Sequence, residues 1–277
     1  MTDTPDDGRF RRMAAQLIGV DGIVGVVLGG SRARGDHTPT SDVDLGLYYR
    51  PPLDVAALAA LARAVAGPAA DVTEPGQWGP WVDGGGWLTV DGVAVDWIYR
   101  NIDRVGACWQ SAAAGRFAFH QQIGHPFGVA DFSYPGELAL AVVLADPTGE
   151  IRSLQREVRR YPSALGQALI DQCLWEAGFL VDIGDKAVTR TDSVYVAGCL
   201  FRVAVLCAHV LHGRDGRWLV NEKGAVAAAG SLACAPADFA ERAQRLLAGV
   251  GSTPSQLADS LRDAGALIAD VSAACRD

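Results

Sequence analysis

The chain has 277 residues, 49% of them hydrophobic, and a formal net charge of −8 at pH 7. That length and apolar content allow a substantial core and argue against a disordered chain. The acidic balance argues against a nucleic-acid partner, whose phosphates draw basic surfaces, and fits a small or cationic acceptor.

The first residues, MTDTPDDGRFRR, are acidic and polar and lack the apolar stretch of a secretion signal. The best apolar runs, 138–145 and 194–211, are too short or are interrupted by Arg202 and His209, so no membrane span is expected. Six cysteines at 108, 173, 199, 207, 234 and 275 form no CxxC pair and lie mostly among Ala, Leu and Val. Reduced cysteines pack in this way, and a cytosolic location is the expectation that follows.

Residues 9–20 read as a helix leading into a strand over 22–28. A short helix is expected to start near Ser31, followed by a polar turn over 35–41 that carries Pro39. The second strand covers 42–49 and is closed by Pro51-Pro52; LDVAALAALARAVAG is then a helix ended by Gly67 and Pro68. A Gly/Trp-rich stretch precedes DGVAVDWIYR, a third strand opened by the Asp91-Gly92 turn signal. A further strand is expected over 138–144, ended by Asp146-Pro147.

Beyond residue 150 the apolar residues recur at three- and four-residue spacing, which predicts helices near 151–160, 163–182, 192–212, 222–230, 236–249 and 254–275. The expected fold is a mixed α/β sheet with flanking helices over 1–150, followed by an all-α bundle over 151–277. No repeat or long linker interrupts it.

The second strand carries the chemistry. Alternation sends Val43, Leu45 and Leu47 to one face and Asp42, Asp44 and Gly46 to the other. At about 5 Å between charges and an effective dielectric near 20, two such carboxylates repel by about 3 kcal/mol. Solvent, an arginine or a divalent cation must offset that. Asp96 interrupts the third strand in the same style, and a strand placed beside 42–49 would converge three carboxylates. Few oxygen ligands, with room left for waters and phosphates, describe a magnesium site. Such an ion bridges phosphates and acidifies an attacking hydroxyl.

The Gly29-Gly30-Ser31 turn fits the same picture. Glycine lets the backbone approach a ligand, and a following helix start presents free N–H groups to phosphate oxygens. Ser31 adds a hydroxyl donor, while Arg32 and Arg34 add charge. Alone, such a turn is most often just a tight turn, and Asp-x-Asp a solvated strand. Strand, Gly-Gly-Ser, helix, turn and acidic strand together are a far rarer combination.

This arrangement resembles the nucleotidyltransferase superfamily that includes DNA polymerase β, the minimal nucleotidyltransferases and, closest in style, the aminoglycoside nucleotidyltransferases. Gly30-Ser31, ten residues and Asp42-Val43-Asp44 match the Gly-Ser-x10-Asp-x-Asp signature without insertion. The resemblance implies transfer of a nucleoside monophosphate, AMP from ATP foremost, to a hydroxyl of a small, aminoglycoside-like acceptor, with pyrophosphate released. It further implies that Asp42, Asp44 and Asp96 are the catalytic acids and ligate magnesium, two ions in all. Asp96 would also be the base for the acceptor hydroxyl. Gly30, Ser31, Arg34 and Ser41 stand where related enzymes hold the triphosphate. The helical pattern of 192–211 followed by GRWLVNEKGAV extends the likeness and puts Arg202 and Lys223 on the phosphates. For Arg202 the plain alternative is a helix-packing arginine paired with an acid such as Asp192.

Other residues carry two readings. Trp78, Trp81 and Trp87 either stack on an acceptor ring or base, or cover an edge of the sheet. His125 lies in the unassigned stretch 115–140, and Glu137 either holds an acceptor amine or caps a turn. His209, seven residues after Arg202, has the spacing of the RNase motif in HEPN domains but reads as a packed histidine. Tyr48 and Tyr49 read as packing residues. A protein-modifying nucleotidyltransferase of toxin–antitoxin type would use the same acids on a protein hydroxyl. A non-catalytic nucleotide-binding regulatory module would not need all three.

Overall fold

The computed structural model describes residues 7–35, 37–38 and 40–276. They form two compact units: one runs through Ser111 and resumes over Ala118–Arg160, the other joins Ala112–Phe117 to Tyr161–Asp277.

The first unit begins with α1 (Asp7–Leu17), β1 (Ile23–Leu28), α2 (Gly30–Arg34), β2 (Val43–Tyr49) and α3 (Val55–Ala66). It continues with β3 (Gly85–Val90), β4 (Val93–Asn101) and α4 (Ile102–Ala113), the last reaching into the second unit. A two-stranded ribbon, β5 (Phe119–Gln122) with β6 (His125–Ala130), precedes α5 (Ser133–Leu140), β7 (Val142–Ala145) and α6 (Glu150–Val158). The main sheet has the order β3-β4-β2-β1-β7. Only the β2–β4 pair is parallel.

The alternation in β2 does what its sequence demands. Val43, Leu45 and Leu47 are fully buried beside Val95, Trp97 and Tyr99 of β4. They pack on Phe10, Met13 and Leu17 of α1 and on Leu58 and Ala62 of α3. Each such side chain contributes about 1.5–3 kcal/mol on burial, so this apolar face fixes the register of β2 and commits Asp42 and Asp44 to the opposite face. The helix α3 starts where Asp54 accepts a hydrogen bond from the Ala57 N–H at 2.9 Å.

The Asp91-Gly92 signal is a hairpin turn. Both residues have positive φ, 51° and 80°, and the turn joins β4 to β3, a strand hidden in the Gly/Trp-rich stretch. The strand expected over 138–144 is corrected. Residues 133–140 are helical, and only Val142–Ala145 pairs as a strand, with β1. Pro135 is tolerated in the first turn of α5, where backbone N–H groups have no intrahelical acceptor. The far end is held by Gln155, whose amide donates to the carbonyls of Leu138 and Ala141 at 2.9 and 2.8 Å. Pro39, expected in the turn before β2, lies outside the described residues.

The second unit contains α7 (Ser163–Val188), α8 (Ser193–Asp215), α9 (Ala225–Gly230), α10 (Phe239–Ala248) and α11 (Pro254–Ala274). Helices α7 and α8 approach closely through glycine, since a Cβ on Gly166 would meet the Gly213 carbonyl at 2.5 Å. By length and composition α8 could cross a membrane, contrary to the sequence expectation, but 67% of its apolar window is buried, as in a core helix. His209 is packed there as expected, and burial, with His212 beside it, lowers its pKa to about 3.

Candidate active site

A single lateral row across four strands builds the site. The Gly29 N–H, just past β1, donates to the Asp44 carbonyl at 2.8 Å. Asp44 is in register with Asp96 across the parallel β2–β4 pair, and Asp96 with Trp87 across the antiparallel β4–β3 pair. Registered neighbours share a face, so Asp44, Asp96 and Trp87 all project opposite the core. Asp42 lies two residues before Asp44, on the same side and exposed.

Gly30 brings the turn against the acid. Its φ is +60°, and a Cβ there would lie 1.8 Å from Asp44 Oδ2. No other residue both tolerates that backbone and leaves the carboxylate its place. Helix α2 is a single turn ended by Gly35 at φ 80°, with Ser31 half-buried in it and Arg34 exposed. The Arg32 guanidinium donates to the carbonyls of Ser41, at 2.9 Å, and Asp42, at 3.2 Å. Arg32 thereby fastens α2 to the start of β2. The Ser41 hydroxyl accepts from the Thr38 N–H at 2.9 Å, which makes Ser41 a turn-closing residue as well as a phosphate candidate.

Burial raises the pKa of Asp44, and Asp42 and Glu137 raise it further; Arg34 and Arg100 pull it back down. Burial also pushes Asp96 up, to about 6, helped by Asp44 and Asp42. The charge of Asp42 therefore reaches both Asp44 and Asp96, and that of Asp44 reaches Asp96. Among the described residues, however, no group of three His, Cys, Asp or Glu side chains is gathered as a closed metal-ligand set. The acids share a face and a field, which is less than the convergence on one point expected from sequence.

Glu137 belongs to this electrostatic cluster. It sits within α5, rather than ahead of a strand, and grips Arg100 of β4 through both carboxylate oxygens, at 2.7 and 3.0 Å. Arg100 is buried, donates to the Tyr99 carbonyl at 2.9 Å and lies 5.1 Å from the Tyr134 ring. Sequence reading missed Arg100. The available signal was its place on the Asp96 face, four residues along the strand.

Trp78 and Trp87 stack with ring centroids 4.3 Å apart and planes within 14°. Trp81 is used elsewhere. His120 stacks on it at 3.8 Å, the Arg104 guanidinium lies 5.6 Å from it, and its carbonyl accepts from the Tyr134 hydroxyl at 2.8 Å. His125 pairs with Gln122 in the β5–β6 ribbon.

The remaining phosphate candidates lie in the second unit. Arg202 of α8 is paired with Glu176 of α7, its Nε at 3.1 Å, while Asp192 caps α8 by accepting from the Tyr195 N–H. Arg202 is thus a helix-packing arginine paired with an acid, Glu176 in place of the example Asp192. Lys223 is exposed in a turn in which the Asn221 side chain accepts its backbone N–H at 2.9 Å.

Residues 9–75 match the family model of the Nucleotidyltransferase domain, a span that includes the Gly-Gly-Ser turn and both acids of β2. That segment is similar to the nucleotidyltransferase domain. No curated protein is significantly similar to the chain. It has a likeness to the crystal structure of a nucleotidyltransferase-like protein from Exiguobacterium sibiricum, 12% identical, which covers 95% of this chain and 74% of the other at a TM-score of 0.46.

Proposed function

We propose that the chain transfers a nucleoside monophosphate, AMP from ATP foremost, to a hydroxyl of a small acceptor and releases pyrophosphate. The observation that carries this reading is the row Gly29–Asp44–Asp96, a glycine bend laid against two carboxylates whose pKa values are raised. Charges in that state favour a cation among them. The donor set is all oxygen, as magnesium prefers, and Gly30, having no Cβ, lets the Asp44 carboxylate lie against the bend. Asp42, Asp44 and Asp96 would hold magnesium, two ions in the fullest form of the reading. When bound, magnesium supplies charge neutralisation at the α-phosphate.

The chain's own groups do the rest. The Gly30 backbone, the Ser31 hydroxyl and the Arg34 charge are assigned to the β- and γ-phosphates, with Ser41 beside them. Asp96, with its pKa near 6, is poised to accept the acceptor's hydroxyl proton close to neutral pH. The acceptor oxygen bonds to the α-phosphorus, the bond to the β-phosphate oxygen breaks, and pyrophosphate leaves. A location in the cytosol, where ATP and magnesium are plentiful, agrees with the free cysteines.

The test is a screen of α-labelled ATP, GTP, CTP and UTP against polyhydroxylated acceptors, aminoglycosides among them, with magnesium. Labelled acceptor and pyrophosphate are expected, and both should vanish in Asp42→Ala and Asp44→Ala. Turnover retained in either variant would remove the assignment.

A further inference from the structure

We infer that the stacked indoles of Trp78 and Trp87 form the acceptor side of the site, and that the acceptor they select is a hydroxylated organic cation bearing an aromatic ring. The inference rests on the transfer reading above and adds the direction from which the acceptor arrives.

Trp87 is in register with Asp96 on the face opposite the core, which places it at the far end of the row from Gly29. The row is Gly29, Asp44, Asp96, Trp87, spanning three strand spacings, or roughly 14 Å. In phosphoryl transfer the entering and leaving oxygens lie roughly in line across the phosphorus. If the leaving pyrophosphate lies toward Gly29-Gly30-Ser31 and the α-phosphate over the acids, the attacking hydroxyl comes from the Trp87 side.

The geometry there suits a ring. Trp87 is 72% exposed despite its stacking on Trp78, so the pair offers surface rather than closing it. A residue serving only to cover the β3 edge would be expected to bury itself. The platform is also built in advance. Trp78 lies against Gly85, where a Cβ would meet its ring at 3.1 Å. The Trp78 backbone N–H donates to the Asp83 carbonyl at 3.1 Å, and its carbonyl accepts from the Gln122 amide at 2.5 Å. A flat ring laid on the indoles loses little freedom and gains stacking. Charge completes the specification. Asp96 is one strand spacing away, Asp44 two, and an indole face itself attracts cations.

Two probes that share an ammonium and a primary hydroxyl separate the ring from the charge: 4-(hydroxymethyl)benzylamine and 6-aminohexan-1-ol. Each is titrated into the full chain with magnesium and a non-hydrolysable ATP analogue, and followed by calorimetry and tryptophan fluorescence. The aromatic probe is expected to bind about tenfold more tightly and to quench fluorescence. Trp87→Ala should abolish the difference and Trp87→Phe keep most of it. Equal binding of the two probes to the wild type, or an undiminished preference in Trp87→Ala, would overturn the inference. Pyrophosphate release from ATP, scored on the wild type, tests the transfer reading separately, because the binding comparison needs no turnover.

Discussion

Gly30 and Asp44 touch with no space for a side chain between them: a Cβ on Gly30 would fall 1.8 Å from Asp44 Oδ2. This contact ties the bend after β1 to the acid near the start of β2.

The contact makes Gly30→Ala a sharper test than any other glycine change in the turn. Alanine at φ +60° costs about 1–2 kcal/mol in backbone strain alone, and the carboxylate must also move. We expect a lower unfolding temperature and a loss of turnover of at least about tenfold. Gly35 also has positive φ, but nothing lies within 4 Å of its Cβ position. Gly35→Ala should therefore cost about 1 kcal/mol and leave turnover nearly intact. Thermal unfolding beside a pyrophosphate-release assay reads both.

Asp96 yields a pH prediction with a definite sign. Its folded pKa of about 6 exceeds the ~3.9 of an unfolded aspartate. Folding therefore favours its protonated form, a contribution complete below about pH 3.9 and lost as pH rises through about 6. Above that range the charge costs about 1 kcal/mol once solvent screening is allowed for. In chelator-treated protein, Asp96→Asn should raise the unfolding temperature by roughly 2–4 °C at pH 7.5 and hardly change it at pH 4. Turnover in the wild type should climb with pH through the same window as the carboxylate forms.

The Arg100–Glu137 pair should tune Asp44 in opposite directions from its two ends. Glu137 raises the Asp44 pKa and Arg100 lowers it. Glu137→Gln should thus move the acid limb of the pH–rate profile to lower pH, and Arg100→Met to higher pH. Arg100→Met should also destabilise the fold by about 2–3 kcal/mol, because Glu137 keeps its charge in a partly buried place without its partner. Shifts of the same sign would remove Glu137 and Arg100 from the site.

Arg32 offers a structural control. Its guanidinium holds the carbonyls of Ser41 and Asp42, so Arg32→Met should free the start of β2 and displace Asp42. The expected result is a several-fold weaker apparent affinity for magnesium, seen as a higher concentration for half-maximal turnover. Lysine at this position should rescue only in part, since a single ammonium cannot reproduce the fork.

What the sequence made legible was whatever depended on local order. Gly30-Ser31 and Asp42-Val43-Asp44 announce themselves by spacing, and β2 by alternation. Asp96 stands out because an acid inside Val93–Tyr99 has no place in a core. What it hid was lateral. Nothing local says that β4 lies parallel beside β2 with Asp96 in register with Asp44, since that pairing is set by the crossover through α3 and β3. Arg100 and Glu137 are separated by 36 intervening residues and meet because α5 folds back over the sheet. The strand expected over 138–144 failed for a related reason. Apolar runs of that length fit either state, and the Gln155 side chain, on another helix, holds the turn that ends α5.

The central claim is that Asp44 and Asp96 act as one unit in nucleotidyl transfer, and a double-substitution cycle on pyrophosphate release tests it most directly. Asp44→Asn and Asp96→Asn should each lower the magnesium-dependent rate by about 10³-fold or more, and the double variant should lose scarcely more than either. Independent, multiplying losses, or turnover that survives either change, would contradict it.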